Sequence, residues 1–183
     1  KPESVLLIGG GFSGPAALAL AHGVKRLDFI ELDPARFEME KALVPAAAEL
    51  LRDPRVTVIF GDPRQAIAFA SDHHDVTILN LPDPMSASIG RFYTTRFMLW
   101  AGEADIFAVS ASANPPNRVL SPAQFAILAG TVKTVETAYP NRVVLPLSRN
   151  FIVAGGIGAR LTADAAEIDK RLKQRGIASY YAG

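Results

Sequence analysis

Ser4-Val5-Leu6-Leu7-Ile8-Gly9-Gly10-Gly11-Phe12-Ser13-Gly14, continued by Ala16-Ala17-Leu18-Ala19-Leu20-Ala21, decides the fold: a short apolar run enters clustered glycines and leaves as an alanine-rich segment. Val5 to Ile8 are four large aliphatics in a row, which suits a strand covered on both faces by helices. Ala and Leu are strong helix formers, small enough to pack closely on a sheet, and Gly23 can end that helix. Gly9, Gly11 and Gly14 match G-x-G-x-x-G, where glycine permits a tight turn, close approach of backbone to ligand, and close helix–sheet contact. A helix starting there adds about half a positive charge beside a bound anion or carboxylate. The turn is expected to cradle a nucleotide, with a side chain at Gly9 or Gly11 blocking the pocket. The alternative is a glycine turn without a ligand.

Outward from this stretch, apolar β-like runs recur at about 27–31, 55–60, 75–80, 105–111, 143–147 and 150–154, with helical segments between the earlier ones. Alternating β and α units imply right-handed crossovers, and the expectation is a three-layer, doubly wound, mostly parallel seven-stranded sheet. Asp33-Pro34 opens a helix with a capping side chain and a proline in the first turn, and Pro45 should kink or divide it. Ser148-Arg149 separates the last two runs, with Asn150 able to take positive φ, so these runs predict a C-terminal antiparallel hairpin. A last helix is expected from Thr162 as N-cap to Gly176, with Lys170, Arg171, Lys173 and Arg175 on a solvated face near its C-terminus. Asn114-Pro115-Pro116-Asn117 reads as an exposed loop.

With 183 residues, 49% apolar and 20% charged, the chain fits one globular domain, 1–183, with a substantial core. Its start at Lys1-Pro2-Glu3, almost on the first core strand, predicts a domain excised from a longer chain. Nineteen basic against 18 acidic residues give a net charge of +1 and no field to gather phosphate backbones, so nucleic acid is not an expected partner. No cysteine is present, which removes disulfides, thiolate metal sites and cysteine nucleophiles. Apolar stretches are broken by Gly, Pro or charge before the ~20 residues of a membrane helix, so a soluble piece is expected.

Three acidic punctuations sit where apolar runs end. Glu31 closes the second run, where its carboxylate can accept two charge-assisted hydrogen bonds from vicinal ribose hydroxyls; the alternative is a solvated strand end. Asp33 is the helix cap rather than a ligand group. Asp62, in Phe60-Gly61-Asp62-Pro63, can accept the exocyclic amine of an adenine with one oxygen while capping the next helix with the other. The fourth run leads into Asn80-Leu81-Pro82-Asp83-Pro84-Met85-Ser86, in the crevice outside the carboxyl ends of the strands where such sheets bind ligands. Asp83, held extended before Pro84, can hold an ammonium group or remove a proton, or is simply a turn carboxylate. Tyr93 can line the pocket mouth or, with Phe92, Phe97 and Trp100, belong to the buried face of an amphipathic helix. His73-His74 precedes the fourth run at the opposite end of the sheet and reads as a solvated loop, and no metal site is expected.

Gly9-Gly10-Gly11 with Gly14, Glu31-Leu32-Asp33, Asp53-Pro54-Arg55-Val56, Gly61-Asp62 and Asp83-Pro84, in this order and spacing, resemble the spermidine synthase group of polyamine aminopropyltransferases. That group shares the Rossmann-like fold of S-adenosylmethionine-dependent methyltransferases. Leu81-Pro82-Asp83-Pro84 with Arg91-Phe92-Tyr93-Thr94 is most similar to spermidine synthase-like domains attached to multi-spanning bacterial membrane proteins. The resemblance implies a transferase that binds S-adenosylmethionine, its decarboxylated form or a related thionucleoside such as methylthioadenosine. An alkyl group, aminopropyl or methyl, would pass to a polyamine or other amine, with Asp83 orienting or deprotonating the acceptor. It also implies a cytoplasmic domain, tethered to the inner membrane by a flanking transmembrane region, and an oligomer is compatible with it.

Two departures mark this chain. Phe12 stands where the family has an Asp that holds the donor's amine, and Asn80 stands where the family's proposed base would be, leaving Asp83 as the second carboxylate. The family's N-terminal β-rich segment has no counterpart in these residues. A second reading, favoured by Phe12 and Asn80, is a noncatalytic nucleoside-binding or sensing domain. A third is a flavin or nicotinamide oxidoreductase, since Ile8 to Gly14 also reads as a flavin-binding opening; it explains neither Gly61-Asp62 nor the Pro82-Asp83-Pro84 loop.

Overall fold

The computed structural model describes residues 1–69, 73–101, 105–114 and 119–177. In chain order the elements are β1 (Ser4–Ile8), α1 (Pro15–Ala21), β2 (Arg26–Glu31), α2 (Pro34–Leu43), α3 (Ala47–Arg52), β3 (Val56–Phe60), α4 (Pro63–Phe69) and β4 (Val76–Leu79). They continue with α5 (Ala87–Gly90), α6 (Thr95–Ala101), β5 (Ile106–Ala113), α7 (Pro122–Ala138), β6 (Asn141–Pro146), β7 (Arg149–Gly155) and α8 (Ala165–Gln174). The seven strands form one sheet in the order β3-β2-β1-β4-β5-β7-β6. The first five run parallel, while β7 is antiparallel to both β5 and β6. This is the expected doubly wound sheet with its C-terminal hairpin.

Side-chain alternation along β1 explains why the run had to be apolar throughout. Leu6 and Ile8 enter one cluster with Ile30, Leu79, Phe97, Met98, Phe107 and Ile152, while Val5 and Leu7 enter another with Leu27, Phe29, Ala16, Ala19 and Phe37. Helices α6 and α7 cover the first face, and α1, α2 and α3 the second. Order reverses at β1: the chain passes to β2 and β3 on one side and to β4 and β5 on the other. A crevice opens at the carboxyl ends of strands flanking such a reversal.

Pro45 divides the predicted long helix into α2 and α3, with Val44 extended between them. Several local expectations are corrected. Asp164, not Thr162, caps α8, because its carboxylate reaches Glu167 N–H at 2.8 Å, and Thr162 Oγ1 instead accepts from Asp164 N–H. Asn150 lies inside β7 and is 4% exposed, and Ser112 is the only non-glycine residue with positive φ among the described residues. The predicted amphipathic helix is broken between α5 and α6: Phe92 and Phe97 are buried, but Trp100 is exposed, with Arg96 over its ring. Most of the Asn114–Asn117 loop, positions 115–117, lies outside the described residues.

His74 is the largest correction. It is buried, not solvated, and its Nε2 lies 2.8 Å from Asp28 Oδ2, an oxygen that also pairs with the Arg26 guanidinium. Burial alone would raise the Asp28 pKa, but the hydrogen bonds from His74 and Arg26 outweigh it and hold the carboxyl below its ordinary value. A group depressed in this way stabilises the fold above its unfolded pKa, about 3.9, and the contribution disappears as pH falls through the lower folded value. Asp28→Asn, which keeps an acceptor but removes the charge, is therefore expected to cost about 1–3 kcal/mol at pH 7, and the gap from wild type should close toward pH 3 in thermal or denaturant melts. Equal stabilities at pH 7 would show that the buried pair contributes nothing.

Candidate functional site

The crevice is assembled from the residues that follow β1, β2, β3 and β4. After β1 the chain turns through Gly9 at φ +78° and Gly10 at φ +61° into a 3-10 turn over Gly11–Ser13, and Gly14 at φ +114° begins α1. Left-handed values like these favour glycine. The turn is tied to the neighbouring strand by Asn80, whose Nδ2 donates to Gly10 O at 3.2 Å and Ser13 Oγ at 3.0 Å. A carboxylate at position 80 could not donate these bonds.

Packing excludes side chains from Gly9, Gly10 and Gly11. A Cβ at Gly11 would sit 2.4 Å from the Phe29 ring, one at Gly9 2.5 Å from Leu81 Cδ2, and one at Gly10 2.5 Å from Asn80 Nδ2. Substitutions at Gly9 and Gly11 thus meet Leu81 and Phe29 directly. Gly10 has as tight a constraint as either, while a Cβ at Gly14 meets nothing within 4 Å and only its φ is restrictive. Phe12 packs on Phe29 and Phe37 at centroid distances of 6.1 and 5.1 Å, and Phe37 in turn meets Phe60 edge-on at 4.9 Å. The apolar side chain at the glycine turn thus belongs to an aromatic cluster.

Glu31 is 2% exposed, so it is not a solvated strand end. Its Oε1 accepts from Asp33 N–H at 3.1 Å, while Oε2 is buried with no hydrogen-bond partner. Leaving a buried acceptor unpaired costs about 1–3 kcal/mol, more for a charged one, which a ligand hydroxyl would recover. Asp33 caps α2 by accepting from Ala35 and Arg36 N–H.

Asp62 accepts from Arg64 N–H at 2.9 Å and from the Arg64 side chain, with Nη2 at 2.7 Å, and its Oδ2 also lies 3.3 Å from Arg91 Nη1. The Arg64 hydrogen bond, reinforced by Arg64 N–H and the charge of Arg91 against the opposing effect of burial, lowers its pKa. Asp62 is anionic at neutral pH and already neutralised.

The loop after β4 is fixed by Tyr93, whose buried hydroxyl donates to Leu81 O at 3.2 Å and Pro82 O at 3.0 Å. Burial, with the nearby charge of Asp83, pushes the Tyr93 pKa upward, so it stays a neutral donor. Asp83 Oδ1 accepts from Ser112 N–H at 2.9 Å and from Arg149 Nη2, and Arg149 Nε reaches Ser110 Oγ at 3.4 Å. Ser112 has φ +59°, is fully buried, and its Oγ has no partner. Its carbonyl accepts from Asn150 Nδ2 at 3.1 Å, and Asn150 exchanges amide hydrogen bonds with Asn114. Arg149, Ser112 and Asn150 are the site residues that sequence reasoning missed. The available signal was an arginine placed next to the hairpin turn, a position that needs no charge.

Asp53-Pro54-Arg55-Val56 has a structural task. Arg55 binds Asp53 with Nη2 at 2.6 Å and donates Nη1 to Leu20 O and Val24 O, joining β3 to the end of α1. Among the described residues no group of three His, Cys, Asp or Glu side chains is placed to hold a metal, and no helix is long and apolar enough to cross a membrane.

Residues 1–104 match the family described as spermine/spermidine synthase domain. A polyamine aminopropyltransferase of Pyrobaculum calidifontis is 30% identical over 197 aligned positions, covering 100% of this chain and 67% of the relative. The chain spans only about a third of the length of the first curated relatives it matches, 30% and 34%. Among solved structures, a spermidine synthase in complex with the transition state analogue AdoDATO superposes with TM-score 0.72 at 18% identity, over 84% of this chain and 55% of that one. Human methyltransferase-like protein 13 in complex with SAH gives TM-score 0.64 at 17% identity, over 99% and 87% of the two chains. The fold is thus methyltransferase-like.

Proposed function

The chain belongs to the spermine/spermidine synthase domain family, and on that premise we propose that it is a transferase domain that binds a thionucleoside donor and passes an alkyl group to an amine. The observation that carries this reading is Glu31 Oε2, a buried acceptor with no partner at the carboxyl end of β2. A ribose hydroxyl supplies the donor it lacks. The glycine turn lies beside it, since Gly9 N–H bonds Ile30 O at 2.9 Å. Asp62, at the end of β3, lies toward the adenine end.

The sulfonium of S-adenosylmethionine or its decarboxylated form is the leaving group, so the protein's work is alignment of nitrogen, carbon and sulfur. A carbon–sulfur bond breaks, a carbon–nitrogen bond forms, a neutral thioether leaves, and the amine loses a proton. Asp83 orients the amine or takes that proton through Oδ2, which has no protein partner among the described residues. Asn80, engaged with Gly10 and Ser13, shapes the turn and takes no proton.

Calorimetric titration with methylthioadenosine, both S-adenosylmethionine forms and NAD tests the binding step, and thioether release with amine acceptors tests the chemistry. Saturable thionucleoside binding with turnover is expected. Binding without turnover, across polyamines, small amines and amino acids, would make the domain a nucleoside sensor, a reading to which the aromatic packing of Phe12 and the amide at position 80 also lend themselves. Binding of NAD alone would overturn the transferase reading.

A further inference from the structure

Amine chemistry alone does not account for Arg149. A polyamine carries several positive charges and is best held by carboxylates that no protein cation neutralises. In this crevice Asp62 is matched by Arg64 and Arg91 and Asp83 by Arg149, while Asp33 is spent on capping α2. Asn80 contributes no charge, and Phe12 faces an aromatic cluster. A guanidinium bound to Asp83 would repel an incoming dication.

The arrangement around Asp83 is held from several sides. Ser112 keeps its uncommon φ because its N–H is bound by Asp83 and its carbonyl by Asn150, and the β5–β7 register shifts there, between Ala111 and Ala113. Arg149 leaves from the first position of β7 and spends Nε on Ser110 and Nη2 on Asp83. Its Nη1 and the Asp83 Oδ2 have no protein partner among the described residues, and both side chains are partly exposed, 35% and 22%. One free donor with positive charge therefore stands beside one free acceptor with negative charge.

We propose that the Asp83–Arg149 pair is a recognition site for an amino-carboxylate, the zwitterionic end of an amino acid. Its carboxylate accepts from Arg149 Nη1 and its ammonium or amine donates to Asp83 Oδ2. The inference rests on the thionucleoside reading of the crevice and adds the class of group presented beside the nucleoside. Two sources carry that chemistry: the amino-acid tail of intact S-adenosylmethionine, and a separate amino-acid acceptor.

The test is calorimetric titration of the chain with methylthioadenosine, decarboxylated S-adenosylmethionine and S-adenosylmethionine. Putrescine and a panel of amino acids are then titrated with and without methylthioadenosine, on wild type, Arg149→Met and Arg149→Lys. The carboxylate-bearing ligand is expected to bind at least about 10-fold more tightly than its decarboxylated or dicationic counterpart. Arg149→Met should erase that advantage, Arg149→Lys should restore part of it, and methylthioadenosine affinity should be the same in all three proteins. A preference for intact S-adenosylmethionine identifies the donor tail, and one for a free amino acid identifies the acceptor. Preference for putrescine or the decarboxylated donor in wild type overturns the proposal. So does an Arg149→Met change that weakens every ligand equally along with the melting temperature, which marks a structural clamp. Failure of methylthioadenosine to bind wild type overturns the thionucleoside reading instead, and the amino acids titrated without it still report on Arg149.

Discussion

Glu31→Gln is expected to weaken methylthioadenosine binding about 100-fold while making the free protein more stable. On the proposed reading the affinity loss follows from exchanging a carboxylate offered to ribose hydroxyls for an amide whose NH2 cannot accept, with charge-assisted bonds worth roughly 1.5–3 kcal/mol each. The stability gain follows from the unliganded state, in which Glu31 is 2% exposed and Oε2 is unpaired. Glutamine keeps the acceptor that holds Asp33 N–H and removes the buried charge. A gain of about 1 kcal/mol would raise the melting temperature of a domain this size by about 2–4 °C. Calorimetry and thermal melts on the two proteins read both quantities. A variant that loses affinity and stability together would make Glu31 a structural residue whose loss disorders the crevice.

Asp83→Asn is expected to lower kcat by about 100-fold or more and leave methylthioadenosine affinity nearly unchanged. General-base assistance is typically worth about 100- to 10,000-fold, and with Asn80 carrying no negative charge Asp83 is the one carboxylate of the β4 loop able to provide it. Asparagine can still accept from Ser112 N–H, so the loop keeps that anchor, while the charge facing Arg149 is lost. Thioether release under saturating donor and acceptor measures kcat, and methylthioadenosine titration measures affinity. Equal rates in the two proteins would remove Asp83 from the mechanism.

The frame of the molecule was legible because it depends on local pattern. Apolar runs covered on both faces, alanine-rich or capped helices and left-handed glycines each act over a few residues, and they place Gly9, Glu31, Asp62 and Asp83 at the ends of adjacent parallel strands. Positions that depend on distant partners were not legible. Arg149 meets Asp83 across 66 residues, and His74 meets Asp28 across 46, so neither pairing leaves a trace in nearby sequence. Gly11 is kept from bearing a side chain by Phe29, on the next strand. Ser112 could not be foreseen in a left-handed conformation, since serine rarely adopts it, and only the contacts from Asp83 and Asn150 reveal why it does.

Asn80 and Phe12 are each built into the fold around the glycine turn. Asn80 donates to the glycine turn that it faces, and Phe12 extends an aromatic cluster reaching Phe60. Neither residue touches Glu31, whose Oε2 stays without a partner. On the proposed reading, Glu31 serves the nucleoside and the Asp83–Arg149 pair the group presented beside it.

The most direct test of this account is a crystal structure of the chain with methylthioadenosine. The account predicts the ribose over the end of β2, with its hydroxyls within hydrogen-bond distance of Glu31 Oε2 and the adenine toward Asp62. A nucleoside bound elsewhere, or one in the crevice that leaves Glu31 Oε2 still unpaired, would contradict it.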